Sequence, residues 1–310
     1  MKRVIITGAT GAVGHGLIHH LLHQNVEIYT VCRPDSPRIH ELKQYKTVHI
    51  IECDMTELSQ LPSRVSGKFD VFYHLGWTGT FGNVRDNMYL QNQNIGYALD
   101  AVEVAKVLGC DTFIGAGSQA EYGRVEGVLD GNTPTFPENG YGMAKLCAGQ
   151  MTRVKCREYG MKHIWTRILS IYGPYDGINT MVMSTIIKLM NQETPSFTKG
   201  EQVWDYLYAK DLGAILYLLA DNGVDGKTYC LGSGKTKLLR EYIEVIRDGI
   251  DEELELKIGA IPYNPNQVMY LCADTKALKE DLGYEPSYSF EEGIRETIEW
   301  YRGKYKNEEN

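Results

Sequence analysis

The sequence predicts an α/β protein, a doubly wound parallel sheet joined to a smaller mixed α/β cap. Three observations carry this. Short β-like runs alternate with helical periodicity through the first half. A glycine-rich turn separates the first strand from the first helix. The second half loses the alternation and is punctuated by turn signals at Tyr172-Gly173-Pro174, Pro262 to Pro265 and Glu285-Pro286.

Taken in order, residues 3–7 read as a strand and 13–23 as a helix, with Leu17, Ile18, Leu21 and Leu22 on one face. Strands follow at 26–32, 48–53 and 69–75. A helix over 92–108 places Ala98, Leu99, Val102 and Ala105 on its apolar side. Residues 112–116 form the next strand, 141–159 a long helix and 162–169 another strand. Later helices are expected at 182–191, 209–220, 239–248 and 290–305. The main domain is read as 1–170, with part of 203–222 returning to its sheet. The cap takes 171–202 and 223–310. The charged tail 304–310 is expected to fray.

Composition bounds the function. Hydrophobic residues make up 43% of 310 and charged residues 23%, enough for a buried core. The formal net charge of -8 disfavours a nucleic-acid binder. No apolar stretch approaches the ~18 residues of a membrane span. Met1-Lys2-Arg3 runs into Val4-Ile5-Ile6 without a leader-like apolar run, so a cytoplasmic protein is expected. The seven cysteines are widely spaced with no Cys-x-x-Cys pair and read as reduced, mostly buried thiols.

Thr7-Gly8-Ala9-Thr10-Gly11-Ala12-Val13-Gly14 has the strand-turn-helix context of a dinucleotide-binding loop. Gly8 permits the turn, Gly11 lets the backbone approach a pyrophosphate, and Gly14 lets the helix pack on the strand. Thr10, Ala12 and Val13 complete the loop and the helix N-terminus that faces the phosphates. At the end of the second strand Cys32 or Arg33 stands where an NAD enzyme carries a carboxylate, and Arg38 follows. Arginine suits a 2′-phosphate, so NADP(H) is favoured. NAD(H) is the alternative, with Arg33 capping the strand and Asp35 or Ser36 meeting the ribose.

Tyr141-Gly142-Met143-Ala144-Lys145 opens the long helix, and positions i and i+4 share a face. A phenol is a poor base at neutral pH. A neighbouring ammonium favours the phenolate, which makes the pair a tunable acid/base. Ser118 follows the strand at 112–116, at the carboxyl end where such sheets bind ligands, and is placed to hold a reacting oxygen against Tyr141.

With these residues in view the chain resembles the extended short-chain dehydrogenase/reductase family of sugar-nucleotide epimerases, dehydratases and reductases, whose main domain is of Rossmann type. The resemblance rests on Thr7 to Gly14, Asp54-Met55, His74-Leu75-Gly76, Asn94-Ile95-Gly96, Gly117 to Gly123, Tyr141 to Lys145, Arg167, Tyr172-Gly173-Pro174, Asp205-Tyr206 and Asp211. It implies that Tyr141 is the acid/base, that Lys145 also binds the nicotinamide ribose, and that Ser118 holds the substrate oxygen. It places Asp54 and Met55 at adenine, Leu75 and Gly76 with Trp77 beside the cofactor, and Asn94 behind the site. Gln119, Ser170 and Trp204 would face the substrate. A homodimer through helices 92–108 and 141–159 is implied. The chain departs from the pattern at Ser170, where the family often has Asn, and at Trp204, where it often has Arg. It also lacks the usual Arg near Gln267 to Met269.

The function expected is an NADPH-dependent reductase at C4 of a nucleotide-linked keto or deoxy sugar. An NAD-dependent 4-epimerase is the alternative, and a non-catalytic NADP-sensing regulator is the alternative of another class. Gln119 and Glu121 supply no Asp-Glu pair for a dehydratase. No metal site is expected: His15, His19 and His23 share one helix face and read as solvated. Leu231 to Thr236 resembles a triphosphate loop, but Tyr229 stands where that motif needs glycine, and the segment reads as a turn.

Overall fold

The structure is a computed structural model that describes residues 1–308. Its main sheet has seven parallel strands in the order β3-β2-β1-β4-β5-β6-β9. These are β1 (Arg3–Thr7), β2 (Glu27–Cys32), β3 (Val48–Glu52), β4 (Val71–His74), β5 (Thr112–Ser118), β6 (Lys162–Ile168) and β9 (Thr228–Leu231). A three-stranded mixed sheet, β10-β8-β7, combines β7 (Ser170–Tyr172), β8 (Val203–Tyr208) and β10 (Thr236–Leu238).

The period of two in each strand divides the side chains between two cores. Val4, Ile6, Tyr73 and Ile114 face one layer, which includes α1 (Ala12–Leu21) and α7 (Ala209–Asn222). Ile5, Phe72 and Phe113 face the other, with Ala101, Val102 and Ala105 of α4 (Met88–Val107) and Cys156 of α5 (Gly140–Glu158). One-turn helices α2 (Ile39–Leu42) and α3 (Leu61–Arg64) fill connections. A further core joins the small sheet to α6 (Met181–Met190), α8 (Leu239–Asp248) and α10 (Phe290–Glu308), around Tyr172, Ile186, Tyr208, Ile246 and Phe290. The short α9 (Lys276–Leu282) sends Leu278 and Leu282 into the first core.

Several expectations shift. Of residues 203–222, the strand β8 pairs in the small sheet, and only the helix α7 packs on the main layer, against α1. The strand that joins the main sheet is β9, paired with β6 from Trp165↔Thr228 to Ile168↔Leu231. Four residues followed by Gly232-Ser233-Gly234 carry too little periodicity to be read as a buried strand. Helix α4 begins at Met88, earlier than expected, because the Asn87 side chain accepts from the Leu90 N–H and caps it. The tail expected to fray stays helical to Glu308, and positions 309–310 lie outside the described residues.

His15 is corrected from solvated to buried. Its ring lies flat on Tyr175, centroids 3.4 Å apart and planes 9° apart, while His19 and His23 remain exposed. Burial holds the His15 imidazole down to about 4. The partner ring arrives from a distant loop, which no local pattern announces.

Helices α1 and α7 touch backbone to backbone. A Cβ at Gly213 would meet the Gly16 carbonyl oxygen at 2.0 Å, and one at Gly16 would meet the Ala209 oxygen at 2.1 Å. Gly213→Leu should therefore destabilise the fold by about 3 kcal/mol, the upper end of ordinary overpacking, read as a lower urea midpoint at unchanged slope.

Candidate active site

The three loop glycines meet three different demands. Gly8 has φ +73°, and a Cβ there would lie 2.6 Å from Gly76 N and from the Leu75 carbonyl carbon. A Cβ at Gly14 would lie 2.5 Å from the Ala9 Cα. At Gly11 the nearest atom is 4.0 Å away, so that side of the loop is open. The ends of β1 and β4 are tied as Gly76 N donates to Thr7 Oγ1 at 3.2 Å. His74 is buried with Nδ1 3.2 Å from the same hydroxyl, and burial holds its pKa down to about 3. Gly11 caps α1 without a side-chain acceptor, leaving the first-turn N–H groups of Ala12 and Val13 uncapped by side chains. An open glycine, an uncapped helix end and a crevice between strand ends fit a dinucleotide pyrophosphate.

Around this loop the other cofactor candidates differ in freedom. The Arg33 side chain is 55% exposed, 4.0 Å from Asp35, and able to reorient. Arg38 Nη1 donates to the carbonyls of Tyr175 at 3.0 Å and Thr10 at 3.4 Å. Tyr175 itself sits at φ +66°, a conformation that costs a bulky residue energy. Asp54 caps the turn after β3 by accepting from Thr56 N and Oγ1, which lowers its pKa; Met55 leans on the core. Asn94 spends its amide on Thr78 and Leu90, pinning the loop after β4 rather than projecting into it.

A cavity of about 490 Å³ gathers Tyr141, Lys145, Ser118, Leu75, Trp77 and Val13. Asn139 caps α5 through Gly142 N at 2.8 Å, which sets Tyr141 at the helix mouth. Lys145 is buried; its Nζ donates to Ala116 O at 2.6 Å and lies 3.9 Å from the centre of a Trp77 ring. Burial brings the Lys145 pKa down to about 7. Trp77 is held in turn by its indole N–H on Gln91 Oε1 at 2.9 Å. Burial also raises the Tyr141 phenol, opposed by a hydrogen bond with Ser118 and by the positive charge of Arg85, 4.8 Å from the ring centre.

Ser170, Gln119 and Trp204 line the same cavity. The two departures from the family pattern turn out to be partners: Trp204 Nε1 donates to Ser170 Oγ at 2.8 Å. Gln119 carries a buried Oε1 with no partner among the described residues. Glu121 is turned away and fully used, accepting from Ser118 N at 2.8 Å, Trp165 Nε1 at 3.0 Å and Arg167 Nε at 2.9 Å. Asp205 is likewise spent on Ser233, Gly234 and Ala273, so the segment resembling a triphosphate loop wraps a carboxylate of its own chain.

Sequence reasoning missed Arg85 and Asp176, which also line the cavity. Arg85 lies in a polar connection without a motif, although an Arg-Asp pair just ahead of a helix was the available signal. Asp176 accepts from Gly177 N and Thr180 Oγ1 after the Gly173-Pro174 turn, and burial raises it to about 6.

A family model described as the NAD dependent epimerase/dehydratase family matches residues 4–232. The chain belongs to this family. Among curated relatives of this family member, dTDP-glucose 4,6-dehydratase of Salmonella typhimurium is 25% identical over 96% of this chain and 92% of its own. Among solved structures, a UDP-N-acetylglucosamine 4-epimerase from Methanobrevibacter ruminantium superimposes with a TM-score of 0.87 at 22% identity, covering 98% of this chain and 99% of the other. A dTDP-glucose 4,6-dehydratase from Bacillus anthracis, solved in complex with NAD, gives 0.85 at 17% identity over 99% and 98%. Fold and family therefore agree with the resemblance.

Two outcomes follow for this epimerase/dehydratase family member. Lys145 binds fewer protons in the folded protein, where its pKa is about 7, than in the unfolded chain at the ordinary lysine value of 10.5. The penalty for burying its charge thus shrinks as pH climbs from 7 toward 10. The stability of the cofactor-free wild type relative to Lys145→Met should rise across pH 7–9 by up to about 1.4 kcal/mol per unit in urea titrations. Glu121→Ala, by stranding the buried Arg167 guanidinium, should cost about 3–5 kcal/mol in the same assay.

Proposed function

We propose that this chain is an NADPH-dependent oxidoreductase that reduces C4 of a nucleotide-linked 4-keto sugar. The observation that carries this reading is the convergence of Tyr141, Lys145 and Ser118 on one cavity that also reaches Leu75, Trp77 and Val13 of the dinucleotide crevice. Ser118 and Tyr141 would both hydrogen-bond the carbonyl oxygen. Burial keeps the Tyr141 phenol protonated at neutral pH, so it starts as a proton donor, which suits reduction. Lys145 would stabilise the phenolate left behind until solvent reprotonates it. Bound in the glycine-loop crevice, the nicotinamide supplies the hydride. Gly8, Gly11 and Gly14 would accommodate the pyrophosphate, and Arg33 would meet the 2′-phosphate, since Arg38 is already engaged.

Elimination, the chemistry named for the dehydratase relatives, needs an additional acid and base beside the sugar. Here Gln119 is an amide and Glu121 is locked on Arg167. A 4-epimerase is the second reading, favoured by Arg38 being tied to two carbonyls, which leaves a single arginine for NADP(H). A non-catalytic sensor has no use for a half-buried tyrosine beside a buried lysine.

The same proposal divides the chain into a cofactor domain, 1–170 with α7 and β9, and a substrate cap of the remaining residues. It includes a homodimer through 92–108 and 141–159, supported by exposed Met143, Met151 and Val154 along α5 and Val107 on α4. Seven unpaired cysteines support a reducing compartment such as the cytoplasm. Among the described residues no helix is long and apolar enough to cross a membrane.

Purified protein offered 4-keto-6-deoxy nucleotide sugars should oxidise NADPH faster than NADH, and Tyr141→Phe should lower turnover by about 10²–10⁴-fold. Interconversion of C4 epimers with retained NAD and no net coenzyme consumption would establish the epimerase instead. An unchanged Tyr141→Phe variant would remove the enzymatic reading.

A further inference from the structure

The reaction cavity adjoins a second of about 610 Å³, and Gly82, Arg85, Gln119 and Trp204 line both. Beside Arg85, Asp86 and the paired Arg124 and Glu138, the outer cavity is lined by uncharged groups, among them Asn264, Asn266, Gln267 and Tyr270. We propose that Arg85, at this doorway, is the residue that grips the phosphoryl oxygens of the substrate, holding the sugar in the inner cavity and the nucleoside in the outer one. The proposal rests on the nucleotide-sugar reading above and adds the identity of its anion ligand.

Three cationic side chains line the two cavities. Lys145 is committed to Ala116 O and the Trp77 face. Arg124 is engaged in a two-pronged ion pair, Nε to Glu138 Oε2 and Nη2 to Oε1, each at 2.8 Å. Arg85 is the one of the three that has neither an ion pair nor a hydrogen bond from its side chain among the described residues, and its Nε is buried without a partner. The nearest carboxylate in sequence, Asp86, is used at Gly140 N, 2.9 Å away.

A buried N–H without an acceptor is costly, and a planar guanidinium with free donors matches two phosphoryl oxygens. The backbone fixes where it points. A Cβ on Gly140 would meet the Arg85 carbonyl oxygen at 3.0 Å, so the turn carrying Arg85 is wedged against the first residue of α5. Its guanidinium lies on the Tyr141 ring, 4.8 Å from the centre. Phosphate held there leaves the attached sugar lying toward the phenol and Ser118. Arg85 would thereby set the register between the anionic group and the reacting carbon.

The test is calorimetric titration of the NADP(H)-loaded protein with uridine diphosphate, thymidine diphosphate and inorganic pyrophosphate, using wild type, Arg85→Gln and Arg85→Lys. The wild type should bind at least one nucleoside diphosphate. Arg85→Gln should weaken that binding about tenfold to hundredfold and flatten its salt dependence. Arg85→Lys, which keeps the charge but not the fork, should fall between them. With a turned-over sugar nucleotide, Arg85→Gln should raise KM much more than it lowers kcat. If Arg85→Gln binds diphosphates as the wild type does, the assignment of Arg85 fails while the nucleotide-sugar reading stands. A fall in kcat with diphosphate binding unchanged also overturns it. If the wild type binds none of the three probes, the nucleotide-linked substrate fails first and this inference with it. Cooperative urea unfolding of each variant separates lost binding from lost fold, and Arg85→Lys carries the test if Arg85→Gln does not fold.

Discussion

A buried ammonium needs an acceptor, and the acceptor Lys145 finds organises the site. Its Nζ donates to the Ala116 carbonyl near the carboxyl end of β5, which anchors α5 to that strand end. Tyr141 lies one helical turn earlier on the same helix, and Ser118 lies two residues further along the same strand. One hydrogen bond thus places a phenol, an amine and a hydroxyl on a common cavity. Trp77 closes the other side of the ammonium with its π face, and Gln91 fixes the indole. Desolvation then acts on the lysine and the tyrosine together, pushing the first down and the second up, so both are nearer neutrality than free side chains.

Much of this was legible because it is local. The glycine loop announces its strand, turn and helix within a dozen residues, and Tyr141 and Lys145 are separated by one turn. The alternation of the first half marked six strands of the main sheet and their parallel arrangement. What was not legible depends on residues far apart in the chain. The seventh strand, β9, is defined by its pairing with β6 rather than by its own pattern. The bond between Ser170 and Trp204 joins two strands of the small sheet, and each residue alone looked like a lost family contact. Arg85 has no motif, and its meaning comes from the cavity and from the partners it lacks.

Carboxylates make the same point from the other direction. Glu121, Asp205 and Asp211 sit in segments that carry the family resemblance and look chemical in sequence. Glu121 holds the Ser118 backbone, Trp165 and Arg167 together beneath the cavity floor. Asp205 gathers Ser233, Gly234 and Ala273, while Asp211 gathers Tyr284, Ser287 and Tyr288. Each anion is buried, and each is satisfied by several donors from distant segments, as buried charge requires. They are fasteners between distant segments.

Tyr175 is such a fastener under tension. Its left-handed backbone, the His15 ring beneath it and the Arg38 guanidinium on its carbonyl clamp the loop after β7 onto α1. Loosening that loop would unstack two rings, release an arginine and relax a strained residue in one movement. The loop after β7, the glycine-rich turn and the first helix are therefore joined through the backbone and ring of one residue.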